Sequence, residues 1–456
     1  MPVLGSVPGG ECAPGVVASA TMVGMDDQRD VVRVGLLGCG NVGAALVGLL
    51  RSNADLIRAR AGVGIEVTRV AVRNVARERS VELPPGVITR DAEAVVADPE
   101  VDVVVEVIGG VEPARSLILA ALERGKPVVT ANKELLANVG KELFEAAESA
   151  GVDMLFEASV AGGIPLIRPL RESLAGEKIR RVMGIVNGTT NFILTRMTEE
   201  GSSFGEALAE AQGLGFAESE PSADVEGFDA AAKASIIASI AFGALVVAGD
   251  VYREGISEIT GDDIAAAREL GYVVKLLAVA EESEAGVAVR VHPAMVPADH
   301  PLAAVRGSFN AVFIEGDAVG ELMLYGRGAG GGPTAVAVLG DLIDAVKNLH
   351  GGGRGATIGA LTRKAIRPID EVESQFYLSM DAADRPGVLA RIADCFGRHG
   401  VSIQSMQQKG RDADARLIFV THRAREADLR ATVHEVRDLD VIMRVGSVMR
   451  VVGGEE

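Results

Sequence analysis

The chain has 456 residues, of which 48% are hydrophobic and 24% charged, so it is long enough for two or three domains with well-buried cores. The net charge of −18 comes from scattered acidic residues, and no basic patch that would indicate a nucleic-acid partner interrupts them. No apolar run reaches the roughly 18 residues needed to span a membrane. The cysteines Cys12, Cys39 and Cys395 lie far apart and are odd in number, which predicts no disulfide framework. We therefore expect a cytoplasmic protein with no membrane partner.

Residues 1–30 are rich in glycine, proline, valine and alanine and show no periodicity, so they are predicted to form a disordered tail. The tail lacks the cationic start and the long apolar core of a signal peptide. Met25 is an alternative start, since the periodic pattern begins just after it.

Strands and helices alternate from residue 31 to about residue 160. The stretch "VVRVGLLGCGNVGAALVGLL" reads as a strand, a glycine turn and a helix, and "VDVVVEVIGG" is a continuous apolar run typical of a strand buried on both faces. Further strands are predicted in "IEVTRVAVRN", "PVVTANKE" and "DMLFEASV". The alternation predicts an α/β fold with a Rossmann-type doubly wound parallel sheet.

The glycine turn has G-x-G-x-x-G spacing, with Gly38, Gly40 and Gly43. In a dinucleotide site the first glycine allows a tight turn, the second lets the backbone approach a pyrophosphate, and the third lets the helix pack on its strand. The alternative is a glycine turn without a ligand. Arg73, after the second strand, favours the 2′-phosphate of NADP, although a surface arginine would give the same pattern.

The pattern changes after residue 160. Strands such as "RRVMGIVNGTTNFIL" and "AVFIEGDAV" alternate with longer helices, which predicts an α+β substrate and dimerisation domain over residues 161–350. This domain ends with a helix in "GGPTAVAVLGDLIDAVKNL", and residues 351–374 read as a linker. Residues 375–453 have the βαββαβ order of a ferredoxin-like unit.

Two lysines stand out. Lys133 in "TANKE" follows a parallel strand at the sheet edge where ligands bind in α/β folds, although a solvated lysine at a helix start is equally consistent. Lys233 lies on a nearly all-apolar helix, four residues after Asp229, so the two side chains share one helix face. A desolvated lysine suits acid–base work in alcohol–carbonyl interconversion, whereas the simpler alternative is a snorkelling lysine in a helix ion pair.

The chain resembles homoserine dehydrogenases of the long bacterial type from Val31 to Val452. The resemblance rests on "GCGNVG", "TANKELLA", "FEASVAGGIP", "VNGTTNFIL", "GRGAGGGPT" and above all "GFAESEPSADVEGFDAAAK". The segment "DRPGVLARIADCFGRHGVSIQSMQQ" resembles an ACT domain, an amino-acid-sensing module. The family interconverts L-homoserine and L-aspartate 4-semialdehyde with NADP or NAD, on the route to threonine, methionine and isoleucine.

The resemblance also implies residue roles. Lys233 would transfer the proton, Asp229 would be its carboxylate partner and Lys133 would lie between cofactor and substrate. Glu218 would bind the substrate amino group, with Gly188 and Thr189 in the substrate-side loop, whereas Glu220, Asp224 and Glu226 are expected on a solvated face. Carbonyls of one loop would bind a monovalent cation, Na⁺ or K⁺, and these belong to Glu157, Val160, Gly162 and Ile164. The cofactor would be lined by Gly38, Cys39, Gly40, Asn41, Val42, Gly43, Arg73, Ile108, Ala131, Lys133 and Gly330.

The resemblance implies regulation as well. The ACT-like module is expected to bind an amino-acid effector, threonine by preference, unless it is a dimerisation domain that has lost its ligand. Either role favours a homodimer or a homotetramer. Competing interpretations are another amino-acid dehydrogenase on the same scaffold, a non-catalytic dinucleotide sensor, and a fusion to aspartate kinase, for which the chain has no additional segment of the required size.

Overall fold

The computed structural model describes residues 31–359, 361–411 and 414–453, so the predicted disordered tail lies outside the described residues. The first region is a parallel sheet of six strands in the order β3-β2-β1-β4-β5-β6. Its strands are β1 (Val31–Leu37), β2 (Gly64–Ala71), β3 (Ile88–Thr89), β4 (Val103–Glu106), β5 (Val128–Thr130) and β6 (Met154–Leu155). Its helices are α1 (Asn41–Ser52), α2 (Ala54–Ala61), α3 (Ala92–Ala97), α4 (Ala114–Glu123) and α5 (Lys133–Ala150).

This strand order is that of a dinucleotide-binding Rossmann sheet, and it confirms the predicted fold class. The order reverses between β1 and β4, which pair in parallel from Val34↔Val103 to Leu37↔Glu106. A crevice opens at such a switch point, outside the carboxyl ends of the strands. The glycine turn after β1 and the loop after β4 therefore face the same ligand space.

The second region is built on a larger mixed sheet. Its strands are β7 (Ile179–Ile185), β8 (Tyr252–Arg253), β9 (Tyr272–Ser283), β10 (Gly286–Pro297), β11 (Phe309–Gly316) and β12 (Gly320–Arg327). Its helices are α6 (Gly188–Glu200), α7 (Phe204–Gly213), α8 (Ser222–Val225), α9 (Phe228–Phe242), α10 (Gly261–Glu269) and α11 (Gly331–His350).

One predicted strand in this region was too long. The segment "RRVMGIVNGTTNFIL" forms β7 only up to Ile185, and α6 begins at Gly188. The reason is local, because the Asn187 side chain accepts a hydrogen bond from the Thr190 amide at 2.9 Å and so caps the helix.

The helix α11 packs against the first sheet. Ala335, Val338 and Leu342 are fully buried in one cluster with Leu36 and Val47 of the β1–α1 unit. The chain thus returns to the dinucleotide-binding region after building the second sheet. The glycine-rich loop before α11 is brought back to the switch point in this way.

The C-terminal module has the predicted βαββαβ order. Its elements are β13 (Glu373–Ala383), α12 (Val388–Arg398), β14 (Ile403–Arg411), β15 (Asp414–Thr421), β16 (Ala424–Arg425), α13 (Glu426–Arg437) and β17 (Ile442–Val451). The four long strands lie in the order β17-β13-β15-β14 over a core that includes Phe376, Phe396 and Phe419. The end of β17 pairs in parallel with β10, from Ala294↔Arg450 to Met295↔Val451, so both sheets join into one of 11 strands.

Among the helices in the described part of the chain, none combines the length and the apolar character needed to cross a membrane.

Candidate active site

The glycine turn after β1 has the geometry that a bound dinucleotide requires. Gly38 has a φ of +100°, and a Cβ there would lie 2.7 Å from the Val107 carbonyl oxygen. A Cβ on Gly43 would lie 2.4 Å from the Gly38 carbonyl oxygen, whereas a Cβ on Gly40 would meet nothing within 4 Å. Gly38 and Gly43 are thus fixed by packing, and the exposed Gly40 leaves its backbone open to a phosphate.

Two helix N-termini converge on this turn. Helix α1 begins at Asn41 and α11 at Gly331, and a Cβ on Gly331 would lie only 3.0 Å from the Asn41 carbonyl oxygen. Gly330, which precedes α11, has a φ of +113°. Free amide groups and the helix dipole make each N-terminus favourable for anions, so the residues at this place fit a diphosphate.

The loop after β2 carries several arginines. Arg73 lies two residues beyond the end of β2 and is exposed, where a 2′-phosphate could reach it. Arg79, which the sequence interpretation missed, donates to the carbonyls of Asn74 and Arg77, both at 2.7 Å. Burial raises the pKa of the Cys39 thiol, and the neighbouring Arg79 opposes that rise, so Arg79 lies against the glycine turn.

A fully buried carboxylate ties two of the cofactor-side loops together. Glu106, at the end of β4, accepts hydrogen bonds from the amides of Ile108 at 2.8 Å and Gly109 at 3.1 Å. Its other oxygen accepts from the Thr130 hydroxyl at 2.5 Å, at the end of β5. The loop of Ile108 and the loop of Ala131 are therefore held by one side chain. The only signal in the sequence was an acid at the end of an apolar strand.

The catalytic candidates meet on a single carboxylate. Lys233 Nζ donates to Asp229 Oδ2 at 2.8 Å and to the Val186 carbonyl at 2.7 Å. Lys133 Nζ donates to the other oxygen, Asp229 Oδ1. Asn187 Nδ2 completes the set with a 2.8 Å bond to Asp229 Oδ2. Asp229 is thus held from three sides, in the first turn of α9.

The pKa values of Lys133 and Lys233 are shifted in opposite directions. Burial lowers the pKa of Lys233, the charge of Lys133 adds to this effect, and Asp229 only partly offsets it. Burial also acts to lower the pKa of Lys133, but Asp229 outweighs it and the pKa is raised. Burial would raise the pKa of Asp229, yet the two lysines hold it well below its usual value. Lys133 therefore stays charged, while Lys233 is the group that releases its proton more easily.

The acidic segment before α9 differs in part from expectation. Asp224 was placed on a solvated face, but it is half-buried and its Oδ1 accepts from Asn187 Nδ2 at 2.7 Å. One asparagine amide bridges Asp224 and Asp229, and this role of Asn187 was not foreseen. Glu226 accepts from the Ser257 hydroxyl at 2.5 Å. Glu220 is exposed, as expected.

The proposed substrate residues lie around the start of α6. A Cβ on Gly188 would lie 2.7 Å from the Ser308 carbonyl oxygen, which explains a glycine at this position. Thr189 donates its hydroxyl to the Phe216 carbonyl at 2.8 Å and so fixes the segment that leads to Glu218. The Glu218 side chain is exposed.

A cavity of about 260 Å³ opens between Lys233 of α9, the loop after β5 and the loop after β6. Lys133 and Lys233 line it together with Ala131, which follows β5, and with Ser159 and Gly162, which follow β6. The cavity therefore joins the lysine pair, the end of β5 and the loop after β6.

The expected cation loop follows β6. Ala161 and Gly162 have φ values of 57° and 53°, and a Cβ on Gly162 would meet the Gly328 carbonyl oxygen at 2.3 Å. The Glu157 carboxylate accepts from three successive backbone amides, those of Leu166, Ile167 and Arg168. The loop is thus closed around a buried carboxylate.

This loop is also anchored to α11. The buried Asp341 accepts from the Glu157 amide at 2.7 Å and from the Arg168 guanidinium at 3.0 Å. Burial, together with the charge of Glu157, raises the pKa of Asp341 to about 7. The sequence interpretation did not find Asp341, because the bond spans 184 residues.

Comparison with known proteins gives a consistent result. Family models match residues 38–157 as the NAD-binding domain of homoserine dehydrogenase, residues 165–343 as homoserine dehydrogenase and residues 376–441 as an ACT domain. A curated Mycobacterium tuberculosis homoserine dehydrogenase is 50% identical over 440 residues, which cover 94% of this chain and 99% of the relative.

Solved structures agree with the sequence comparison. A homoserine dehydrogenase from Thiobacillus denitrificans is similar with a TM-score of 0.88 and 43% identity, over 93% of this chain and 99% of that one. A hyperthermophilic archaeal homoserine dehydrogenase in complex with NADPH has a TM-score of 0.57 and 30% identity. It matches 69% of this chain and 97% of its own.

Proposed function

The chain belongs to the homoserine dehydrogenase family, and we propose that Lys233, Asp229 and Lys133 carry out its reaction in the cavity beside the glycine turn. The protein is an NAD(P)-dependent oxidoreductase that interconverts L-homoserine and L-aspartate 4-semialdehyde. The observation that carries the proposal is the single buried carboxylate shared by two lysines that both line the cavity.

Lys233 exchanges the proton of the substrate oxygen. Oxidation of the alcohol needs a base at its hydroxyl, and burial favours the neutral amine of Lys233 that can act as this base. The two N–H groups of the neutral amine donate to Asp229 and to the Val186 carbonyl, which leaves its single lone pair free to accept the substrate proton. The bound nicotinamide cofactor supplies the hydride acceptor.

Lys133 and Glu218 position the reactants. Lys133 stays protonated beside Asp229 and keeps a positive charge at the boundary between cofactor and substrate. Glu218, with its exposed carboxylate, binds the substrate ammonium, and Gly188 and Thr189 shape the loop beside it. This activity supports a role in making threonine, methionine and isoleucine in the cytoplasm.

The test is direct. Purified protein is mixed with L-homoserine and either NADP or NAD, and formation of the reduced cofactor is followed by absorbance. Homoserine-dependent reduction that is lost in Lys233→Met supports the assignment. No reduction with either cofactor over a range of pH and with Na⁺ or K⁺ present would overturn it.

The cofactor is preferentially NADP. Arg73 is exposed at the end of β2, and Arg79 is held over the same loop, so a 2′-phosphate would meet cations rather than the acid that selects NAD. Charge-assisted bonds contribute about 1.5–3 kcal/mol each, so Arg73→Gln is expected to lower kcat/KM for NADP about 10- to 100-fold. The value for NAD stays constant, and the exposed Arg60→Gln on α2 is the control. Equal losses with both cofactors would contradict the preference.

The loop after β6 binds Na⁺ or K⁺ through the carbonyls of Glu157, Val160, Gly162 and Ile164. Among the described residues, no hydrogen bond ends on the carbonyls of Val160, Gly162 or Ile164, and oxygen ligands of this kind suit a hard cation. The loop lines the cavity through Gly162, so the cation supports its shape. Activity in choline chloride is expected to rise on adding K⁺ or Na⁺, and a flat response would refute the site.

The ACT domain binds an amino-acid effector, threonine by preference, and the chain forms a homodimer or a homotetramer. The module's complete ferredoxin-like fold and its direct pairing with β10 support regulation of the catalytic region. Inhibition of the dehydrogenase by L-threonine tests the effector, and light scattering on the eluted protein tests the oligomer. An effector-insensitive enzyme would leave the ACT domain with an assembly role alone.

A further inference from the structure

A second cavity lies where the ACT domain meets the catalytic sheet. It measures about 60 Å³ and lies under the pairing of β17 with β10, away from the lysine pair. Catalytic-region residues on β7, β9 and β10 form one side, and residues at the ends of β13 and β17 form the other. Its size corresponds to several water-sized volumes of about 10–15 Å³ each, enough for a small solute.

Two buried polar side chains in this cavity lack complete partners. Arg290 and His292 are 7% and 2% exposed, and because they are two residues apart on β10, their side chains lie on the same face of the sheet. The Nε of Arg290 has no hydrogen-bond partner in the described chain, although the guanidinium faces Glu281 at 3.0 Å. Within the part of the chain that the structure describes, the Nε2 of His292 also has no hydrogen-bond partner.

The chemistry of the two nitrogens differs. His292 Nδ1 lies 3.0 Å from the Pro293 carbonyl oxygen, so Nδ1 carries the hydrogen and Nε2 is an acceptor. Burial, followed by the charges of Arg450 and Arg290, lowers the pKa of His292 well below its usual value and keeps the ring neutral. Arg290 Nε is a cationic donor. One cavity therefore offers a donor for an anion and an acceptor for an ammonium or hydroxyl group.

Most of the arginines that line the cavity are already in ion pairs. Arg290 pairs with Glu281, Arg181 with Glu315, and Arg450 with both Glu426 and Glu254. Arg423 is exposed and makes one long bond, at 3.4 Å, to the Glu373 carbonyl, so it is available to a ligand. A solute with a carboxylate and an adjacent ammonium matches this pattern of groups.

We propose that this junction cavity binds a free α-amino acid, with its carboxylate on Arg290 and Arg423 and its ammonium on His292 Nε2. The proposal rests on the effector regulation proposed above and gives that effector a site between the two sheets. Buried polar atoms without partners cost free energy, and an amino acid would satisfy both at once.

A chain of contacts connects this cavity with the catalytic carboxylate. Arg450, which lines the cavity, binds Glu426 of the ACT domain and also Glu254 Oε2 at 2.6 Å. The preceding residue, Arg253, donates to the Glu226 carbonyl at 3.0 Å, and its guanidinium lies 3.4 Å from the centre of the Phe228 ring. Phe228 precedes Asp229 on α9. A ligand in this cavity, which Arg450 also lines, is therefore connected by these contacts with the segment that carries Asp229.

Titration calorimetry on the full chain tests the site. The probes are L-threonine, glycine and acetate, and the two cavity variants are Arg423→Gln and His292→Leu. The control is Arg385→Gln at the distant ACT turn, which removes an ion pair with Asp440. Arg423→Gln is expected to weaken threonine and acetate about tenfold or more, the loss of one charge-assisted bond. His292→Leu weakens threonine and glycine but not acetate, which has no ammonium. Arg385→Gln changes none of them.

Activity without effector and the melting temperature are measured for each variant. The proposal expects unchanged kcat and a threonine inhibition curve shifted in the same order as the affinities. If both cavity variants bind and respond to threonine like the wild type, the site is refuted while effector regulation stands. If no amino acid binds or inhibits the wild-type enzyme, the site and the effector regulation both fail, although the dehydrogenase assignment is untouched.

Discussion

Replacing Lys233 by methionine removes the amine that we assign to proton transfer while keeping an unbranched side chain of similar length. In the structure this deletes two hydrogen bonds of 2.7 and 2.8 Å, to the Val186 carbonyl and to Asp229. Asp229 does not become an isolated buried charge, because Lys133 and Asn187 still donate to it. The variant is therefore expected to fold.

The size of the effect follows from these contacts. General acid–base catalysis contributes about 10²- to 10⁴-fold, so kcat is expected to fall by at least that range in Lys233→Met. The free energy of unfolding is expected to drop by about 1–3 kcal/mol, the cost of leaving the Val186 carbonyl without a partner. Cofactor affinity is expected to change little, because we assign Lys233 to the substrate oxygen and not to the cofactor.

The assay combines kcat for homoserine oxidation, the affinity for NADP by calorimetry and a urea unfolding curve. Lys141→Met is the matched control, since Lys141 is a half-buried lysine that pairs with Glu145 at 3.5 Å and does not line the cavity of the lysine pair. A folded Lys233→Met enzyme that keeps more than about a tenth of wild-type kcat would show that another group moves the proton.

Three further predictions concern the surroundings of the site. Gly43→Ala places a Cβ 2.4 Å from the Gly38 carbonyl oxygen and is expected to lower the free energy of unfolding by about 1–3 kcal/mol. Gly40→Ala has open space around the new Cβ, so this variant keeps its melting temperature and loses only cofactor affinity. An equal drop in melting temperature in both variants would contradict this expectation. Glu106→Gln turns an amide group toward donors of the two loops, so cofactor KM rises severalfold, and normal kinetics would argue against a bridging role. Burial lowers the pKa of Lys275 from 10.5 to about 8 in the fold, so the unfolded chain binds more protons between those values and stability rises with pH there. The stability advantage of the wild type over Lys275→Met should therefore grow between about pH 7.5 and about pH 9.5 in urea unfolding, and a constant difference would refute the buried-lysine argument.

The order of the elements was accessible from the sequence because it depends on local patterns. Apolar strands, glycine turns and helix punctuation predicted the parallel sheet and the ferredoxin-like module, and the structure confirms both. What failed was the end of β7, where the single side chain of Asn187 converts an apparent strand into a helix start. Local patterns did not predict the return of α11 to the first sheet, because a helix does not record which sheet covers its apolar face, and only the family resemblance placed Gly330 at the cofactor.

In the site, sequence spacing predicted that Lys233 and Asp229 share one helix face. It could not predict contacts between residues on separate elements. The bond between Lys133 and Asp229 joins residues 96 positions apart, and no local pattern predicts it. Asp224 was misplaced for the same reason, since its partner Asn187 is 37 residues away. Glu106 had a weak local signal, a carboxylate at the end of a buried strand, which only the loops it binds explain.

The pairing of β17 with β10 also bears on how the chain tolerates truncation. If residues from 373 onward were removed, the Met295 carbonyl, which accepts from the Val452 amide at 2.9 Å, would become part of an open strand edge. Glu254 would lose its arginine at the same time. Exposed edges of this kind template contacts between molecules. A shortened catalytic fragment is thus expected to self-associate, so loss of feedback in such a fragment would report damage to the sheet as much as loss of a sensor.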